Sequence, residues 1–262
     1  GSHKKTQSIP FESRSMMHEC AITKNYLLVF DLSVVFDLYK LGRGYFPFSW
    51  DDNHQSRIGL LSRNGDSNEV KWFEIDRTYF FHTFNAHEDA NGNVIVTAAA
   101  YGRLFDTDWN GPFTESPPQL TKWELNTKSG QAKSTRLDDR SVEFPRINPS
   151  LVGKSNQYAY ALASSNPIEP DFKEIVKYDF KNDTSEVYEY GPGKFGAEPV
   201  FVAAEGTKSE DEGYLLSLVY NQETDKSDLI ILNAKEPKSG PLATVHLPQR
   251  VPHGFHGEWI KI

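Results

Sequence analysis

Thr121–Leu137 reads TKWELNTKSGQAKSTRL: a strand-like run through Trp123 and Leu125, a polar turn, and a second strand-like run. The same order of strand, polar turn and strand recurs in VKYDFKNDTSEVYEY (Val176–Tyr190) and in LIILNAKEPKSGPLATVHL (Leu229–Leu247). IGLLSRNGDSNEVKWFEI (Ile58–Ile75) reads as an earlier copy. Trp123, Tyr178 and Ile231 follow one another at roughly 50 residues, the period of a β-propeller blade. A β-sandwich would show shorter spacing and no regular outer hairpin. The expected fold is all-β, a β-propeller.

Other segments agree with that reading. ITKNYLLVFDLSVVFDL (Ile22–Leu38) is rich in β-branched and aromatic residues and too polar in places for a buried helix. VKWFEID, NVIVTAAAY, YAYALAS, EIVKYDF, GYLLSLVY and DLIILNA are further strands, each bounded by Gly, Asn, Asp or Pro. No amphipathic stretch at helical period exceeds two turns. At about 50 residues per blade the chain holds roughly four to five blades, whereas a propeller closes on itself to protect its edge strands. KKTQSIPFES (Lys4–Ser13) resembles the end of a hairpin. Residues 1–262 are therefore expected to be the C-terminal part of a single propeller domain in a longer protein.

Composition narrows the function classes. A formal charge of −8 without a basic run argues against nucleic acid as a partner. The one cysteine, Cys20, excludes an intramolecular disulfide framework and fits a reducing, cytoplasmic setting. No stretch approaches the ~20 apolar residues of a membrane-spanning helix.

Eight histidines are spread along the chain, three in unusual surroundings. His18 lies in SMMHECAIT, entering a strand; His82 lies in the aromatic run YFFHTFNAHED; His256 lies in HGFHGEW, with Gly254 and Gly257 close by. Singly, a buried histidine is more often a hydrogen-bonded core residue than a ligand. In a propeller, however, the inner strands of successive blades line one axis, so residues far apart in sequence converge. The glycines beside His256 would let the backbone turn and approach closely.

MMHECAITKNYLLVFDL, RIGLLSRNG, FHTFNAHED, EFPRIN, AEPVFV, EDEGYLLSLVY and LPQRVPHGFHGEW stand in order along the chain from about Lys5 onward. In these segments the sequence resembles the carotenoid cleavage oxygenase family, which includes apocarotenoid- and stilbene-cleaving dioxygenases and the retinal-pigment-epithelium isomerase. The resemblance implies a seven-bladed propeller whose axis holds a non-haem ferrous ion, Fe(2+), on four histidines. His18, His82 and His256 match the second, third and fourth; the first belongs to an N-terminal half outside this sequence. Three glutamates orient the family's histidines, and Glu143 in EFPR and Glu198 in AEPVFV match two of them. Imidazole suits divalent iron and leaves the ion its full charge. A carboxylate accepting the other ring N–H fixes the tautomer, aims the ring and raises its basicity.

His87 and Glu19 stand where the family usually has tyrosine and aspartate. The offset of five from His82 puts His87 on the opposite strand face if the strand is regular. His253 is expected at a pocket rim, and His54 and His246 on the surface. Phe80, Phe81, Phe84, Phe105 and Phe255 would wall an apolar tunnel or belong to the core. By resemblance, the activity is dioxygenase cleavage of a conjugated carbon–carbon double bond of a carotenoid or apocarotenoid, giving two carbonyl products. The partners are an apolar polyene and O2, with peripheral membrane contact for so lipid-soluble a substrate, and the missing half to complete the ring. A stilbene substrate, or a non-catalytic fragment lacking the first histidine, are the competing readings.

Overall fold

A computed structural model describes residues 2–3, 6–11, 13–63, 69–112, 114–164, 166 and 171–261. Within it, β1 (Ala21–Ile22) pairs with β2 (Tyr26–Asp31). An excursion follows in which β3 (Val34–Phe36) and β4 (Phe48–Trp50) flank the short helix α1 (Leu38–Gly42). β5 (Arg57–Ser62) and β6 (Val70–Glu74) complete a sheet in the order β1–β2–β5–β6. β7 (Tyr79–Glu88), β8 (Val94–Tyr101), β9 (Gln119–Leu125) and β10 (Ala132–Arg136) form the second sheet in chain order. β11 (Ser141–Arg146), β12 (Tyr158–Ser164), β13 (Glu174–Asp179) and β14 (Thr184–Glu189) form the third. In the fourth, β15 (Lys194–Gly196) and β16 (Val200–Ala203) both pair with β17 (Gly213–Asn221), followed by β18 (Lys226–Asn233) and β19 (Pro241–His246). All the pairings are antiparallel. These are four consecutive blades, and the repeat seen in the sequence is the outer hairpin of each. The turn of the earliest copy, residues 64–68, lies outside the described residues.

Period-two alternation explains why the blades stack. Leu28, Phe30, Ile58 and Leu60 meet Val94, Val96 and Trp123 between the first two sheets. Ala99 and Leu120 meet Ala159, Ala161 and Val176 between the second and third. Tyr160 and Leu162 meet Leu215, Ile230 and Leu232 between the third and fourth. In the last blade the repeat is out of phase by one residue: Ile230 and Leu232 enter this core, whereas Ile231 is half-buried on the opposite face.

Two segments depart from the sequence reading. Ile22–Leu38 is not one strand: it is broken after Asp31, and Asp37 caps α1 by accepting the Tyr39 and Lys40 N–H groups. A helix of five residues is too short to leave a period in the sequence. This helix and its exit expose Leu38, Tyr39, Leu41, Tyr45 and Phe46, an apolar patch not evident in the sequence. His54 is not a surface residue either. Its side chain is 10 % exposed and bonds Asp31, which is fully buried and also pairs with Arg57. His246 is exposed, beside Asp228.

Candidate functional site

The innermost strands adjoin, β7 touching both β1 and β11. His18 precedes β1 outside any strand, His82 lies in β7, and His256 lies in the segment after β19. One nitrogen of each ring falls within 4.8 Å of the other two. The His82 ring stands edge-on to His18, with centroids 5.3 Å apart, and to His256 at 4.8 Å.

Irregularity in β7 makes this possible. Its pairing with β8 shifts register between Phe80 and Thr83 and again between Thr83 and Asn85. Phe80 and Ala86 consequently pack between the first and second sheets while Phe84, of the same parity, packs between the second and third. His82 sits where the faces switch, and bulges re-aim side chains in this way. His87, five residues on, therefore need not face away from His82 as it would in a regular strand, and it stays outside the cluster.

Glu143 Oε2 accepts His82 Nδ1–H at 2.6 Å, and Glu198 Oε1 accepts His256 Nδ1–H at 3.2 Å. A carboxylate has no proton to offer here, so Nδ1 of each ring is the donor and Nε2 carries the lone pair. His82 Nε2 is buried and has no hydrogen-bond partner. A buried, unsatisfied nitrogen beside two further imidazoles fits a divalent cation of borderline softness. Burial opposes protonation of His82, yet the hydrogen bond and charge of Glu143 outweigh it and hold the ring above its ordinary 6.5. His18 is pushed below 6.5 by burial and then by the neighbouring His82. Glu19 accepts the Thr83 N–H and is lifted to about 7, chiefly by burial.

A cavity of about 410 Å³ adjoins the cluster and is lined by His82, His256, Glu19, Cys20, Arg146 and Glu198 among others. Aromatic rings also flank the histidines, with Phe81 edge-on to His18 at 5.2 Å and Phe144 tilted over His82 at 5.4 Å.

The family model described as retinal pigment epithelial membrane protein matches residues 1–261. The chain belongs to this family, the carotenoid cleavage oxygenases. A Mycobacterium tuberculosis carotenoid cleavage oxygenase is 31 % identical over 310 residues, spanning 99 % of this chain and 61 % of that protein. The Crocus sativus carotenoid 9,10(9',10')-cleavage dioxygenase is 34 % identical over 270 residues, spanning 94 % of this chain and 48 % of that one. Cobalt-substituted Synechocystis apocarotenoid oxygenase superposes with a TM-score of 0.86 at 26 % identity, over 95 % of this chain and 53 % of that structure. The chain thus spans about half the length of the oxygenases it matches.

Phe80, Phe84 and Phe105 are core, Phe81 is at the histidines, and Phe255 is exposed. His253 packs on Tyr220 at 5.8 Å and is not on the cavity. A Cβ on Gly257 would meet Val200 Cγ2 at 3.2 Å, a real close approach, but one on Gly254 would meet nothing. Arg146 and the clamp from Glu19 to Thr83 were not singled out from the sequence, because neither residue type signals its partner.

Proposed function

We propose that the protein carrying this chain is a non-haem iron(II) dioxygenase that adds both atoms of O2 across one conjugated C=C bond of a carotenoid or apocarotenoid, releasing two carbonyl products. The observation that carries this reading is the convergence of His18, His82 and His256, with two of the rings oriented by Glu143 and Glu198. The relatives' names support the substrate class. In this reading residues 1–262 are the C-terminal part of one propeller domain, and the remaining ligand and orienting glutamate come from the blades they pair with.

His18, His82 and His256 would hold the ion. Bound there, ferrous iron would supply the one-electron chemistry that lets dioxygen react with a polyene. The chain's own residues do the rest. Glu143 and Glu198 keep protons on Nδ1 and lone pairs on Nε2. Phe81 and Phe144 give the cluster an apolar side suited to a polyene and poor for water. The patch around α1 would rest on a lipid surface from which the substrate is drawn. Within it Tyr39 and Tyr45 both pack on Trp109, and Arg43 lies over Tyr39.

The test is to replace His82 by Ala in the whole protein and measure bound iron and aldehyde products from an apocarotenoid. Loss of both is expected; retention of both would overturn the reading.

A further inference from the structure

His256 is borne on an arm, not a strand. After β19 the described chain, 247–261, contains no strand, and the His256 side chain is 50 % exposed. Along the arm the Val251 N–H donates to Ser227 Oγ at 2.9 Å, and Lys261 pairs with exposed Glu205. The peptide next to His256 is held quite differently. Glu198 Oε2 accepts the Gly257 N–H at 2.8 Å, while Arg146 Nη2 donates to the Gly257 carbonyl. The same Nη2 reaches Glu198 Oε2 at 2.8 Å, and Nη1 reaches Glu258 at 3.4 Å. Both backbone polar groups of the residue following the histidine are therefore clasped by one partly buried ion pair.

Arg146 reaches this point because β11 is bulged. In a regular strand, residues 143 and 146 would face opposite sides. The pairing of β11 with β12 shifts register between Glu143 and Arg146, and Phe144 adopts a left-handed φ of 53°. Glu143 can thus serve His82 while Arg146 serves the His256 arm.

We infer that Arg146 is a positioning residue that locks the histidine-bearing arm onto the axis and moderates Glu198 as an acceptor. The inference rests on the metal-centre reading above for its second half only. Glu143 accepts from the Phe144 N–H and the Tyr101 hydroxyl besides His82. Glu198 instead shares its charge with a guanidinium, and its bond to the ring is longer, 3.2 against 2.6 Å. A cation on one carboxylate oxygen weakens the other as a base. The two rings are therefore unequally polarised, with His82 the firmer anchor and His256 the more adjustable ligand.

The experiment uses the whole protein with Arg146→Gln, Arg146→Lys and Glu258→Gln. Amide hydrogen exchange without metal is the first readout. Arg146→Gln should speed exchange at residues 256–259 about tenfold and leave the amides of β17 and β18 protected; Arg146→Lys should recover part of the protection, and Glu258→Gln should change little. Titration with cobalt(II) is the second: release of the arm in Arg146→Gln should outweigh the stronger acceptor that Glu198 becomes, and affinity should fall about tenfold, the scale of losses when a ligand's positioning is removed. Unchanged exchange in Arg146→Gln, exchange raised throughout the third and fourth sheets, or no recovery with Lys would each overturn the assignment. Cobalt uptake that ignores a His82→Ala substitution would instead overturn the metal reading, and the exchange result would still decide Arg146.

Discussion

At the scale of residues, the two orienting carboxylates should not be equivalent. Glu143→Gln keeps the size but weakens the acceptor, so metal affinity or turnover in the whole protein should fall about 10–100-fold. Glu198→Gln should fall less, because Arg146 already draws charge from that carboxylate. Iron content and turnover unchanged in both would remove their orienting role. Glu19 carries a pH signature. Its carboxyl is raised from 4.5 to about 7, so between those values the unfolded chain has released a proton that the folded chain keeps. Stability must then decline as pH rises through this window. In metal-free protein, Glu19→Gln should flatten that decline in Tm, and identical slopes in the two proteins would refute the burial argument. His18, His82, His256, Glu143 and Glu198 were singled out through the motifs that resemble the family, and the structure brings the three histidines together with a glutamate on two of them. The role of Arg146 and the bond from Glu19 to the Thr83 N–H were not so singled out, because each depends on a partner far away in the sequence.

At the scale of elements, strands were readable because alternation is a local property, and their outer hairpins were readable because polar turns punctuate them. The bulges in β7 and β11 were not readable, as a bulge is defined by the partner strand's register and not by its own residues. α1 was hidden because its five residues are too few for a helical period to repeat. Its patch nonetheless makes a prediction. Leu38 and Leu41 are 63 % and 49 % exposed, so Leu38→Glu and Leu41→Glu should alter stability by no more than about 0.5 kcal/mol. If the patch rests on lipid, the pair should abolish most flotation with phospholipid vesicles. Flotation equal to the parent's would move membrane contact elsewhere.

At the scale of the molecule, each of the three cores lies between neighbouring blades, so a blade is finished only by the next. The fourth sheet shows what remains unfinished. Leu218, Leu229 and Val245 form one cross-strand row on the face opposite the third sheet, with Leu216 and Ile231 beside them. Leu218 and Val245 are 36 % and 48 % exposed. Residues 1–262 prepared alone should self-associate through this face in sedimentation velocity, and Leu218→Lys with Val245→Lys should shift them toward monomer. The same preparation, given ferrous iron and an apocarotenoid, should yield no aldehyde at family-like rates, since three imidazoles leave the ion open to water. Turnover from residues 1–262 alone would show that no ligand beyond His18, His82 and His256 is needed or that one is supplied in some other way.

The run of strands and the blade period were determined by sequence, because each depends on residue type and spacing along the chain, and the motifs that resemble the family singled out His18, His82, His256, Glu143 and Glu198. Which nitrogen stands unsatisfied, how β7 and β11 turn their side chains toward one axis, and how an unpaired arm is pinned there depended on tertiary structure. Those features arise from strand register and from contacts between residues about 50 to more than 100 positions apart, such as Arg146 and Gly257, and no local pattern encodes such a meeting.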